Sequence, residues 1–227
     1  MKDNLKFFKK SKTKPLDKFF QTVLYDNKIG YYNSNFPFGS AGDFITAPKI
    51  SRLFSEMIAI WLVSTWEILG KPKNINIVEL GPGDGTLMND LLNTLERFPE
   101  FNKSKSVYLY EVSSLLKKLQ KKNIKKKKII WINNFKRIKK GPIIFFGNEF
   151  FDAIPIKQFK QKKGNFFEKY YLLNQKYEIK EIYKKALQRD VKILKSYKTL
   201  KKLNFIEFPK MGLSELNKIT KKISQSG

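Results

Sequence analysis

Val78-Glu79-Leu80-Gly81-Pro82-Gly83-Asp84-Gly85-Thr86 joins a short apolar run, Ile75 to Leu80, to a stretch of helical spacing, Thr86 to Phe98. Glycines at alternate positions let a backbone turn sharply and approach a ligand closely, and the helix that follows offers free N–H groups at its start. A dinucleotide fingerprint reads G-x-G-x-x-G. Here the third glycine comes one residue early and Thr86 takes its place. Glu79, at the strand end, would repel a pyrophosphate but suits a ligand bearing an ammonium and a sulfonium. The stretch therefore favours S-adenosylmethionine over a nicotinamide dinucleotide, with Glu79, Gly81, Gly83, Asp84 and Gly85 as cofactor-binding candidates.

One element on, Leu109-Tyr110-Glu111-Val112 closes a second strand, Val107 to Val112. A carboxylate at that point can accept both hydroxyls of a ribose lying across the strand ends. The competing reading makes the glycine run a tight loop and Glu111 a helix-capping acid; correct spacing of the two favours the cofactor. A strand from Pro142 to Phe146 runs into Gly147-Asn148-Glu149-Phe150-Phe151-Asp152-Ala153-Ile154-Pro155. Carboxylates there can hold a guanidinium or amide by paired hydrogen bonds, its nitrogen in line with the methyl–sulfonium bond. Glu149 is the first candidate for that catalytic role and Asp152 the second, with Asn148 beside the cofactor. Alternatively, Asn148 and Asp152 satisfy buried turn groups while the phenylalanines pack.

Around these motifs the chain alternates strand and helix. Ser114 to Lys122 reads as a helix and Lys128 to Ile132 as a third strand, so the spacing predicts an α/β fold, a Rossmann-like, doubly wound and mostly parallel sheet. Residues 1–70 form an N-terminal region, with helices predicted over Leu16 to Tyr25 and Ile50 to Leu69 and an ordered loop between; 71–155 is the cofactor-binding core. In 156–227, Gln158 to Ile179 reads as a β-hairpin turning at Lys163-Gly164-Asn165, and Ser214 to Ser224 as a helix, together an insert or cap. A parallel sheet of four strands leaves an edge open, so the core is expected to be C-terminally incomplete, or to pair that edge elsewhere.

Composition narrows the chemistry. The 227 residues include no Cys and no His, which removes thiol nucleophiles, histidine bases and the usual zinc ligands, and no metal is expected. The formal net charge of +26 would suit nucleic acid, yet it is nearly all Lys spread along the chain, with Arg only at Arg52, Arg97, Arg137 and Arg189. Phosphate- and base-reading sites favour the Arg fork, so compositional bias is the stronger reading. No window offers a membrane span, and the first residues lack a secretory core and the Arg-rich, acid-poor composition of a mitochondrial presequence; a cytoplasmic protein is expected.

Four stretches in order also match a known pattern: Gly39-Ser40-Ala41-Gly42-Asp43-Phe44-Ile45-Thr46-Ala47-Pro48, then Glu79 to Leu87, then Glu111-Val112-Ser113, then Asn148 to Pro155. Together they resemble the MidA-like family of class I S-adenosylmethionine-dependent methyltransferases, over roughly Tyr31 to Pro155. Mitochondrial members of that family assist respiratory complex I assembly and methylate an arginine of one of its subunits. The resemblance implies a protein substrate such as a complex I subunit. It also implies that Asp43, Phe44 and Thr46 line the entrance near the methyl donor and that Asn148, Glu149 and Asp152 face the substrate. Lys49 departs from the pattern, standing where members often carry an acid, and members continue into another core strand and a helical region. Two alternatives remain: a non-catalytic assembly protein with a degenerate methyltransferase fold, and an RNA methyltransferase.

Overall fold

The computed structural model describes residues 2–8, 11–34, 47–125 and 128–226. In chain order, a 3-10 turn (Lys2–Phe8) precedes β1 (Thr13–Pro15), α1 (Leu16–Tyr25), α2 (Tyr31–Ser34), α3 (Ala47–Ile50) and α4 (Arg52–Ile68). Then come β2 (Ile75–Leu80), α5 (Thr86–Leu95), α6 (Pro99–Ser104), β3 (Lys105–Tyr110), α7 (Ser114–Asn123), β4 (Ile129–Ile132) and β5 (Ile143–Phe146). The chain continues through β6 (Lys157–Lys162), β7 (Asn165–Leu173), β8 (Ile179–Lys185), α8 (Gln188–Ser196), β9 (Phe205–Phe208) and α9 (Lys210–Ser224). It folds into two compact units, Tyr31–Phe150 with Leu216–Gly227, and Met1–Gly30 with Phe151–Glu215.

The first of these units holds the parallel sheet, ordered β4-β3-β2-β5, the doubly wound core the sequence predicts. β2 is central and every one of its residues is buried, Asn76 and Glu79 included, which is why its apolar residues fall on both faces and not in strict alternation. Successive side chains still face opposite layers. Ile75 and Ile77 join Val107, Leu109 and Ile144 against Ala59, Leu62, Val63 and Trp66 of α4 and Leu91, Leu92 and Leu95 of α5. Val78 and Leu80 join Tyr108, Tyr110 and Ile132 on the other face, where Ile219 of α9 packs. The helical pattern read through Phe98 breaks earlier, because Pro99 opens a separate helix, α6. Among the described residues β5 pairs only with β2.

The other unit is built on an antiparallel sheet, ordered β1-β7-β6-β9 with β8 paired along β7. The predicted hairpin is its β6–β7 pair, turning at Lys163 and Gly164. β1 and β6 follow one another along the same side of β7, Pro15 opposite Tyr170 and Phe159 opposite Glu168. Phe159, Phe166, Ile206 and Phe208 pack with Leu194 of α8. That side of the sheet also carries a buried ion cluster, in which Lys157 bonds Glu168 and lies 3.8 Å from Asp17 and 3.5 Å from Asp190. Lys210 also pairs with Asp190. All four central groups are less than 7% exposed, so each charge depends on its neighbours for what water would otherwise supply. Lys157→Met should therefore destabilise the protein by about 3–5 kcal/mol at neutral pH, because three buried acids lose their shared cation. Urea denaturation should show the deficit narrowing as acid protonates Glu168 and Asp190.

Candidate functional site

β2 and β3 are aligned so that Leu80 lies opposite Tyr110, and the loop and the acid that follow them emerge level with one another. The alignment carries on past the strands: Gly81 N–H donates to the Tyr110 carbonyl at 3.0 Å, and Glu111 N–H to the Ile132 carbonyl at 3.1 Å. Gly81, Gly83 and Gly85 have φ of 62°, 55° and 87°, the left-handed region that a side chain disfavours. At Gly85 space is closed as well, since a Cβ would stand 2.8 Å from Ile124 Cδ1. Asp84 braces the loop: its Oδ1 accepts from Thr86 N–H at 3.1 Å, its Oδ2 pairs with Lys49 Nζ at 2.7 Å, and its carbonyl accepts from Asn123 Nδ2 at 3.0 Å. Lys49 thus neutralises the one acid of the loop that reaches outward.

Glu79 lies beneath this loop, 2% exposed, and its Oε2 has no hydrogen-bond partner. Burial pushes its carboxyl up to about 8, with Asp84 and Glu111 adding repulsion. An orphaned buried carboxyl is what an incoming ammonium would satisfy. Glu111 is also buried; desolvation raises its carboxyl, and bonds from Ser113, Gln120 and Val112 offset part of that rise. Its Oε1 accepts from Val112 N–H at 2.8 Å and Ser113 N–H at 2.7 Å, as an acid at the start of a helix does, while Oε2 accepts from Gln120 Nε2 at 3.1 Å. Of roughly four acceptor positions on a carboxylate, three are occupied and one remains, on Oε2.

Gly147 to Phe150 forms the turn after β5. A Cβ on Gly147 would stand 2.7 Å from the Leu80 carbonyl, so only glycine lets this turn lie against the end of β2. Phe150 clasps it to the loop, its ring 3.0 Å from where a Cβ on Gly81 would stand and 6.1 Å from the Tyr110 ring. Asn148 is half-buried, and Glu149 is exposed with φ of 54°, a strained conformation for a side-chain-bearing residue. Tyr32 completes the surroundings. Its carbonyl accepts from Ser113 Oγ at 2.7 Å, and its phenol is raised by burial and by the charges of Glu111 and Glu149.

Glu79, Gly81, Gly83, Asp84, Gly85, Glu111, Asn148 and Glu149 thus gather at the C-terminal ends of the parallel strands. Asp152 is exposed and belongs to the other compact unit. Asp43, Phe44 and Thr46 lie outside the described residues. Gln120 and Tyr32 are not singled out from sequence: Gln120 stands among lysines, and Tyr32 in a Gly-aromatic run without period. Among the described residues no group of three or more acids is placed to hold a metal ion, and no helix is long and apolar enough to cross a membrane.

The raised carboxyl of Glu79 has a thermodynamic sign. Its folded value of about 8 exceeds the unfolded 4.5, so the folded state binds the extra proton, and this group's contribution falls as pH rises from 4.5 to 8 and is level above. Glu79→Gln removes that cost. The ligand-free variant should be more stable than the parent at pH 8.5, by on the order of 5 kcal/mol, and equal to it near pH 4, as read by urea denaturation at both pH values.

Comparison with known proteins places this geometry. Residues 57–227 match a protein family described as "Putative S-adenosyl-L-methionine-dependent methyltransferase". The chain is 34% identical over 187 residues to protein arginine methyltransferase NDUFAF7, mitochondrial, of Xenopus laevis, covering 71% of this chain and 43% of that protein. It is 35% identical over 176 residues to the homolog of Caenorhabditis elegans, covering 67% and 41%. The chain thus spans about two fifths of the length of these curated relatives. A crystal structure of a Burkholderia thailandensis protein bound to S-adenosyl-homocysteine shares the fold, with a TM-score of 0.73 at 18% identity over 91% of this chain and 55% of that one. The resemblance carried by the four motifs holds, and the chain belongs to this family of S-adenosyl-L-methionine-dependent methyltransferases.

Proposed function

We propose that the protein binds S-adenosylmethionine across the ends of β2 and β3 and methylates a protein, on an arginine nitrogen. The observation that carries this reading is the buried Glu79 carboxyl, without a hydrogen-bond partner and facing the field of Glu111 under a loop of left-handed glycines. A phosphate-binding loop has no use for an acid there; an amino-acid ammonium does. The arginine acceptor follows the names of the vertebrate and nematode relatives, and the exposed acid at the end of β5 suits a guanidinium.

Each residue then has a task. Glu79 takes the ammonium and ionises as it does so. The glycine loop admits the ligand's backbone-like tail, and Glu111 Oε2 accepts one ribose hydroxyl. When bound, the cofactor supplies a methyl on a sulfonium, which becomes a thioether as the carbon–sulfur bond breaks and the carbon–nitrogen bond forms. Glu149 orients the guanidinium by hydrogen bonds to its N–H groups and receives the proton that the nitrogen gives up. Asn148 supports the turn from which Glu149 projects. Asp152 has no task in this reading.

Calorimetry with S-adenosyl-homocysteine tests it. The protein should bind, and at pH 7 binding should release close to one proton, because Glu79 passes from protonated to ionised. Gly83→Val should reduce affinity more than about 100-fold by obstructing the backbone approach, and Glu79→Gln should abolish the proton release. Glu149→Gln should keep affinity within about twofold while slowing methyl transfer to an arginine-bearing protein about 100-fold. A folded wild-type protein that binds neither S-adenosylmethionine nor S-adenosyl-homocysteine would sink the proposal.

A further inference from the structure

α7 turns one face to the protein, and its buried residues are Leu116 and, one turn on, Gln120. Packing alone asks for a second leucine at position 120. Instead there is a primary amide that is 0% exposed, on a helix whose neighbouring positions are Lys117, Lys118, Lys121 and Lys122. Burying an amide costs free energy unless all of its groups are bonded, and this one is bonded on every side. Gln120 Nε2 donates to the Gly83 carbonyl at 2.8 Å and to Glu111 Oε2 at 3.1 Å, and Oε1 accepts from the Trp131 indole N–H at 2.9 Å. Because the indole can only donate, Oε1 must face Trp131 and both Nε2 hydrogens must face the loop and the acid.

The amide therefore fixes two things relative to each other: the middle of the glycine loop and the carboxylate plane of Glu111. Trp131, on β4, supplies the third point, so the bridge is anchored to the sheet and not only to α7. On Glu111 itself, the Val112 and Ser113 N–H groups fill Oε1. Gln120 fills one position on Oε2 and thereby decides in which direction the last free lone pair points.

We propose that Gln120 is a positioning residue for the cofactor's ribose: by holding Glu111 against the Gly83 carbonyl it leaves one Oε2 lone pair directed at a single ribose hydroxyl. This rests on the cofactor reading above. The residue touches neither the ligand's reacting atoms nor its ammonium, and it acts through Glu111.

S-adenosyl-homocysteine binding to the wild type, Gln120→Met, Glu111→Gln and the double variant tests the assignment. Gln120→Met keeps the volume and removes the bridge, and should bind about tenfold more weakly. In the Glu111→Gln background the same substitution should cost less than about twofold, because the group it orients is already lost. A loss of similar size in both backgrounds would make Gln120 a prop for the loop and overturn the assignment, as would Gln120→Met binding within about twofold of wild type. Gln120→Glu supplies a second readout, and carries the test alone should Gln120→Met fail to fold. Its new acid can donate to Glu111 only while protonated, so its affinity relative to wild type should fall as pH rises from 6 to 8; a Gln120→Glu profile parallel to wild type would also overturn the assignment. Wild-type protein that does not bind at all would instead remove the cofactor reading on which the assignment stands.

Discussion

The alignment of β2 with β3 governs the site. Because Leu80 lies opposite Tyr110, the chain leaves both strands at one level, and the glycine loop and Glu111 have no choice but to share a cleft. A slip of one residue would turn Glu79 from one layer of the sheet to the other and exchange its place with Val78 or Leu80. The apolar residues on both faces of β2 hold that alignment, since each face is committed to its own helical layer. The most costly feature of the site, a carboxyl in the interior without a hydrogen-bond partner, is therefore carried by the most firmly placed strand of the unit.

Such a carboxyl is a local violation of the rules that stabilise the rest of the chain, and it was visible in the sequence for that reason. Glu79 interrupts a run of apolar residues that otherwise reads as a buried strand, and acids do not stand in such runs without a use. The glycines were legible on similar grounds, because three left-handed backbone positions in a row of five demand them. Gln120 was illegible because its meaning lies entirely in partners from three other segments: a loop carbonyl, a strand-end acid and an indole. Nothing in Leu119-Gln120-Lys121 distinguishes it from a solvated position. β1 and β9 were missed for a related reason. Each is only three or four residues long and finds its partner more than forty residues away in sequence, so neither can show a period.

The net charge of +26 and the site's own charge have opposite signs. Glu79, Asp84, Glu111 and Glu149 meet at the strand ends, where Lys49 pairs with Asp84. At physiological salt, exposed charges act over about 8 Å, so lysines spread along the chain do little to the potential inside a cleft walled by low-dielectric groups. Burial acts far more strongly on the acids there: desolvation is the largest cause of the raised carboxyls of Glu79 and Glu111, with repulsion from Asp84 and Glu111 added at Glu79. Whole-chain charge is a guide to solubility and to weak association with polyanions; what the cleft selects is decided by its few desolvated groups.

The turn after β5 is held from the same strand end. Gly147 is required there by the Leu80 carbonyl, and Phe150 pins the far end of the turn to Gly81, so the two residues between have little freedom. Within that short span Glu149 adopts φ of 54°, which costs about 1 kcal/mol that a glycine would not incur. A turn designed only to reverse the chain would place glycine at 149 as it does at 147. Retaining a carboxylate at the strained position makes sense if the side chain is needed beyond the turn. The glycine loop and the turn after β5 are thus both fixed from the end of β2, one through its alignment with β3 and the other through the close approach of Gly147.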